Sequence, residues 1–212
     1  MAETTAELTN KYVMEHHDVK SCLKKGLINY SSLARLISKE LKIEKKTSVE
    51  AILVAARRLS QKLEKEISHE NKIRDLLSKS ELEIKNRIIV YVLDKEIGFE
   101  KVGTLQSKVM KERDKFYLIE GSNNYTLLIQ EKYSELVKNF FISHIIKETK
   151  NLALITIKTT KEIENTPGTM AFLTSLFSEN NVNIIELLSC WTDTLFVVDS
   201  KDVAKTMNFL KF

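Results

Sequence analysis

The stretch LALITIKTTKEIENTPGTMAFLTSLFSENNVNII, residues 152–185, decides how the chain is read. It opens on an apolar, β-branched run, Leu152 to Lys158, of strand character. It then passes through Pro167-Gly168, which holds the sole proline of the 212 residues. A helical pattern follows, with Ala171, Phe172, Leu173, Leu176 and Phe177 predicted to point inward, and the stretch closes on Asn183-Ile184-Ile185, the entry to another strand. Further on, Thr194 to Val198 is a strand, and Asp199 or Ser200 is placed to cap a last helix bearing Val203, Met207 and Leu210. The element order is strand, helix, strand, strand, helix.

The same order occurs about 65 residues upstream. Asn86 to Leu93 is a continuous β-branched run, the mark of a strand covered on both faces or at a sheet centre. A helix through Val102, Leu105 and Val109 follows, then strands at Lys115–Glu120 and Tyr125–Gln130 joined by Gly121-Ser122-Asn123-Asn124, which has hairpin-turn chemistry. A helix over Lys132 to Ile142 carries Tyr133, Leu136, Val137 and Phe140. Two copies of one pattern point to an internal duplication, and each copy is small enough that pairing would bury what it leaves exposed.

The first 80 residues read as helix throughout. Helices are predicted from Thr5 to Glu15, from Val19 to Lys25 ending at Gly26, and from a cap at Asn29 or Ser31 through Leu33, Ile37 and Leu41. A charged connector, Lys42 to Lys46, leads to Thr47 as the next cap, with Glu50 three residues on. The helix it caps, Ser48 to Ile67, buries Val49, Ile52, Leu53, Ala56, Leu59 and Leu63 and leaves Arg57, Arg58, Gln61, Lys62 and Lys65 outside. Such a basic, glutamine-containing face on the second of two helices resembles a helix-turn-helix unit and makes those five residues candidates for DNA contact. The connector is longer and more charged than the usual tight turn, and a helical packing module with a solvated basic face is the alternative. Ser68 to Ser80, with Ile73, Leu76 and Leu77 inward, is predicted to be a helical connector.

Charge is distributed unevenly. Residues 1–80 hold 16 Lys/Arg against 11 Asp/Glu, whereas residues 81–212 hold 17 against 18, so the net charge of +4 arises in the N-terminal part. That asymmetry suits a nucleic-acid-facing unit joined to a near-neutral one. Cys22 and Cys190 stand outside any CxxC or Cys/His pattern, and His16, His17, His69 and His144 have no metal-ligand spacing, so neither a metal site nor a disulfide is expected, and both thiols read as reduced and partly buried. No apolar run approaches the roughly 20 residues of a membrane span, and the start, MAETTAELTN, has no signal-peptide pattern. The expected location is cytoplasmic.

The segment from Ala153 to Leu210 resembles an ACT domain, most closely the ACT domains of aspartate kinases. The resemblance rests on the apolar first strand, the Pro-Gly before the first helix, Asn-Val-Asn-Ile-Ile entering the second strand and Phe-Val-Val-Asp ending the third. The copy at Asn86 to Phe141 is similar to a second, degenerate repeat. No glycine-rich kinase segment is present. Together with the helical periodicity of the first 80 residues, the resemblance gives an α+β chain with an N-terminal all-helical domain (1–67), a connector (68–84) and two ferredoxin-like βαββα domains (85–148 and 149–212). It further implies a homodimer, and an amino-acid effector held by Asn165, Thr166, Pro167, Gly168, Thr169, Met170, Asn183 and Ile184, with the last two contributed by a paired copy. A helix N-terminus suits a carboxylate, Gly168 permits close approach, and the Asn183 amide can meet polar ligand groups. The first copy has Glu96-Ile97-Gly98 in place of Pro-Gly and is expected not to bind. With no triad, metal cluster or phosphate loop, the expected role is a non-enzymatic, cofactor-free regulator that acts on DNA, or alternatively a subunit giving feedback control to a separate biosynthetic enzyme.

Overall fold

A computed structural model describes residues 3–64 and 70–212. The chain forms two compact units, residues 1–68 and 69–212.

The first unit is helical: α1 (Thr5–Glu15), α2 (His17–Lys24), α3 (Tyr30–Glu40) and α4 (Val49–Leu63). Its core joins Tyr12, Val13, Leu23, Leu33, Ala34, Ile37, Ile52, Ala56 and Leu63, the apolar stripes expected of amphipathic helices. Thr4 and Glu7 form a capping box at α1, and Asn29 caps α3. The expected cap of α4 is corrected by one residue. Ser48 accepts the Ala51 N–H, while the Thr47 hydroxyl shares a 2.7 Å hydrogen bond with Thr5 of α1. Buried Ser60 of α4 ties three helices together: its hydroxyl accepts from Tyr30 of α3 and donates to the Leu23 carbonyl of α2. The expected C-terminal part of α4, with Lys65, lies outside the described residues.

The second unit begins with α5 (Glu70–Ser78) and continues through β1 (Glu81–Leu93), α6 (Phe99–Lys111), β2 (Tyr117–Glu120), β3 (Tyr125–Gln130), α7 (Ser134–Phe141), β4 (Ile145–Lys158), α8 (Thr169–Glu179), β5 (Glu186–Cys190), β6 (Asp193–Asp199) and α9 (Val203–Phe209). All six strands form one antiparallel sheet in the order β2-β3-β1-β4-β6-β5. The duplication is visible in the backbone. Arg113 after α6 and Asn181 after α8 both take positive φ, and in each case the next amide closes back onto the helix, Asp114 to Val109 and Val182 to Phe177, a left-handed helix ending.

The two copies are joined through β1 and β4, which are 13 and 14 residues long, well beyond the usual strand. Each strand serves both copies. Residues 88–93 of β1 pair with β3 of the first copy, while residues 81–85 pair only with the C-terminal half of β4, the first strand of the second copy. Conversely, β4 pairs with β6 through residues 152–158, and its N-terminal end, from Ile145 to Thr149, lies against β1 of the first copy. The changeover is marked by register shifts in β1 and β4, with Arg87 and Asn151 both at φ 58°, as expected of bulges. Each copy is therefore completed by a fourth strand taken from the other, and β1 starts at Glu81, five residues before the predicted Asn86.

Alternation along the strands separates two faces. On one face α6 and α7 pack over Ile89, Tyr91, Leu127 and Ile129, and α5, α8 and α9 pack over Ile155, Ile157, Phe196 and Val198. On the other, Ile88, Val90, Leu128, Leu152, Leu154, Leu195 and Val197 form a single cluster against which Tyr117 and Ile119 of β2, Ile185 just before β5 and Leu188 of β5 also pack. The two outermost strands thus help to close this face. Tyr117 is half-buried there, which raises its phenol pKa, and the carboxylates of Asp193 and Glu83 add to the effect.

Candidate functional site

The loop between β4 and α8 is a 3-10 turn, Lys161–Asn165, followed by Thr166-Pro167-Gly168. Gly168 is the N-cap of α8 at φ 90°, and no side chain caps this helix. The helix begins at Thr169, two residues after Pro167, so Pro167 stands outside it rather than in its first turn. A helix beginning after a left-handed residue leaves its first-turn N–H groups pointing outward without acceptors in the helix. Thr169 does not shield them: it is buried, and its hydroxyl donates back to the Thr166 carbonyl. Thr166 in turn donates its hydroxyl to the Glu162 carbonyl, and the Thr160 hydroxyl holds the Glu162 carboxyl below its ordinary pKa.

Of the predicted ligand residues, Asn165, Pro167 and Gly168 are exposed and Thr166 and Met170 half-buried at this N-terminus. Asn183 and Ile184 follow the opposite end of α8. Eleven helical residues place them about 16 Å away along the helix axis. Within one chain the two sets are not brought together. Asn183 is exposed, whereas Ile184 packs into the helix-side core. Ala171, predicted inward, is exposed, because Thr169, Leu173 and Phe177 occupy the buried stripe. At the corresponding place in the first copy Gly98 caps α6 at φ −75°, an ordinary extended conformation, so the left-handed entry is a property of the second copy.

The sequence reading missed what lies against this N-terminus. Helix α5 is packed into the second unit and is no free connector: Ile73 and Leu77 belong to the same core as Ile155, Leu173 and Phe177. A Cβ placed on Gly168 would sit 3.5 Å from the Ile73 Cδ1. The Arg74 guanidinium lies 5.3 Å from the Phe172 ring centroid, within cation–π range. A depression of about 380 Å³ follows one side of α5, lined by Lys72, Asp75, Leu76 and Lys79 together with Thr160, Glu162 and Thr166. The amphipathic pattern of residues 68–80 signals a helix with an inward face, but not which surface that face covers.

In the first unit Arg57, Arg58, Gln61 and Lys62 are exposed on α4, and they do not form one stripe. Arg57 leans over the Tyr30 ring at 5.6 Å, while Arg58 and Lys62 line a groove against α1 with Ala6, Asn10, Ala51 and Val54. Eight residues, 41–48, separate α3 from α4, against the 3–4 typical of a helix-turn-helix. Both cysteines are exposed rather than partly buried. Among the described residues there is no cluster of three or more His, Cys, Asp or Glu able to hold a metal, and no helix is long and apolar enough to cross a membrane.

No protein-family model matches the sequence, and no curated protein matches it. Solved structures do. The chain matches the regulatory regions of aspartate kinases over about 61% of its length. The regulatory subunit of aspartate kinase from Thermus thermophilus, in its ligand-free form, is 8% identical at a TM-score of 0.47, with 61% of this chain and 92% of that one covered. The aspartate kinase of Clostridium acetobutylicum is 18% identical at 0.49, with 61% and 33% covered, so the chain spans about a third of that enzyme's length. Escherichia coli aspartokinase III, in complex with aspartate and ADP, is 10% identical at 0.47, with 61% and 32% covered. At these identities and scores the likeness is one of strand and helix arrangement and says nothing of ligand or activity.

Proposed function

We propose that this protein is a non-enzymatic regulator in which the ACT-like second unit binds a small ligand, an amino acid, at the N-terminus of α8. The observation that carries the reading is the uncapped, left-handed entry at Gly168 with α5 packed against it. Outward N–H groups at the positive end of a helix favour a carboxylate. A ligand seated there meets Ile73 and the rest of α5, the first element after the N-terminal helices in chain order. Binding that favours one placement of α5 shifts the equilibrium available to those helices by the ligand's differential affinity. A homodimer would let Asn183 and Ile184 of a second copy complete the site.

The test is a thermal-shift screen of the twenty amino acids, since a ligand that binds the folded state raises its melting temperature by mass action. One or a few amino acids are expected to raise it, and the Gly168→Val variant is expected to lose the increment. No shift with any of the twenty, or an undiminished shift in the variant, overturns the reading.

For the output, docking onto a separate enzyme is favoured by the groove between α1 and α4, where Val54 is 45% exposed among Ala6, Ala51, Arg58 and Lys62. Duplex DNA contact through Arg57, Arg58, Gln61, Lys62 and Lys65 is the competing output. It requires an affinity that falls steeply with salt; affinity below about millimolar at low salt would exclude it.

A further inference from the structure

The helix side of the second unit carries a second concavity, whose lining includes no residue of the loop 159–168. It lies between α5, α8 and α9, encloses about 430 Å³ and is lined by Arg74, Phe172, Leu176, Phe209, Lys211 and Phe212 among others. That volume falls in the range of small-molecule sites, about 300–1,000 Å³. Its base is apolar and fixed: Phe209 stands edge-on to the fully buried Phe177 ring, 5.2 Å between centroids at 80°. Phe172 and Phe212 flank it 6.4 Å apart, tilted at 46°, leaving ring faces and edges for another aromatic group. The charged residues at the mouth are of mixed sign, and their pairing decides the balance. The Asp75 carboxylate is engaged by Lys79 at 2.8 Å. The Arg74 guanidinium stacks on Phe172 and shares one nitrogen with Glu70 at 3.3 Å. A guanidinium has five N–H donors in its plane, so donors remain for a carboxylate, and Lys211 adds a second cation.

We infer that this concavity is a binding site for an aromatic carboxylate, its ring against the faces and edges of Phe172, Phe209 and Phe212 that line the wall and its carboxylate on Arg74 and Lys211. The site is separate from the α8 N-terminus and does not depend on that reading. An occupant touches α5, α8 and the α9 end at once, and so ties α5 to the body of the unit.

The probe is 3-phenylpropanoate, compared with the neutral 3-phenylpropanol by calorimetric titration and ligand-observed NMR on the full chain. The carboxylate is expected to bind, and the alcohol to bind at least about tenfold more weakly, the value of a charge-assisted hydrogen bond. Arg74→Gln, at an exposed position, is expected to abolish that preference without lowering the melting temperature, and Phe172→Leu to weaken both probes. Gly168→Ala is expected to leave the binding intact, which separates this site from the one at the α8 N-terminus. Failure of the carboxylate to bind at millimolar concentration, equal affinity for the two probes, or undiminished binding in Arg74→Gln overturns the assignment.

Discussion

Gly168 adopts a conformation that an L side chain rarely takes, φ 90°, in open surroundings where the nearest heavy atom to an added Cβ is Ile73 Cδ1 at 3.5 Å. Backbone strain therefore opposes any substitution, while an added Cβ itself meets only ordinary van der Waals contact. Gly168→Val is expected to destabilise the second unit by about 1–2 kcal/mol, with Gly168→Ala nearer the lower value; urea unfolding of the variants measures it. A second residue-scale effect concerns acid. Lys132, donating at 2.6 Å, and the Tyr133 hydroxyl at 2.7 Å hold the Asp114 carboxyl below its ordinary pKa. A carboxylate depressed by folding contributes stability that is complete above its unfolded value, about 4, and lost as pH falls through the folded one. Asp114→Asn is thus expected to lower the melting temperature at pH 7 and to flatten its decline below about pH 4. An equally steep acid decline in the variant would assign the effect to other carboxylates. Gly168 was legible as special from Pro-Gly alone; the Asp114–Lys132–Tyr133 cluster was not, since its members come from the ends of different elements.

At the scale of elements, α5 is the segment whose role changed most between pattern and structure. Its stripe of Ile73, Leu76 and Leu77 was readable at helical spacing, and all three are at most 5% exposed, but spacing cannot name the surface a stripe covers. Leu77→Ala is expected to cost about 2–4 kcal/mol, the range for a buried large-to-small change. If α5 were only a tether, the variant would unfold at the wild-type denaturant midpoint. The strands β1 and β4 are similarly held by a polar tie. The buried Tyr91 hydroxyl meets Ser134 of α7 at 2.7 Å and donates to Glu148 of β4 at 2.8 Å, and its pKa is pushed up to about 12, foremost by burial. Tyr91→Phe strands the partners of that hydroxyl and is expected to cost about 1–2 kcal/mol, read from chemical denaturation.

At the scale of the molecule, strand exchange between the copies makes residues 70–212 a single folding unit. A fragment of residues 86–144 lacks the half-strand of β4 that borders β1, and one of residues 151–212 lacks α5 and the half-strand of β1 that borders β4. Neither can complete the sheet or close its second face, and an open edge with exposed apolar surface favours aggregation. The 70–212 fragment is expected to unfold cooperatively with a defined melting temperature, and the two shorter fragments to show no cooperative transition. Independent folding of either would show that the exchanged half-strands are dispensable.

The sequence by itself determined the elements and the repeat. Period 3.6 in the helices, β-branched runs in the strands and the recurrence at about 65 residues are local properties, set by side-chain spacing and turn chemistry. The unusual entry to α8 was equally local, because only its Pro-Gly pair breaks the pattern. Which strand completes which copy was decided by tertiary structure, since one continuous apolar strand reads the same whether it serves one sheet or two, and the bulges fall on Arg87, which gives no sign of a left-handed turn, and Asn151, whose preference for one is far weaker than that of glycine. The placement of α5 over the α8 N-terminus, and with it the concavity between α5, α8 and α9, depended likewise on contacts between segments about 100 residues apart, which no local pattern encodes.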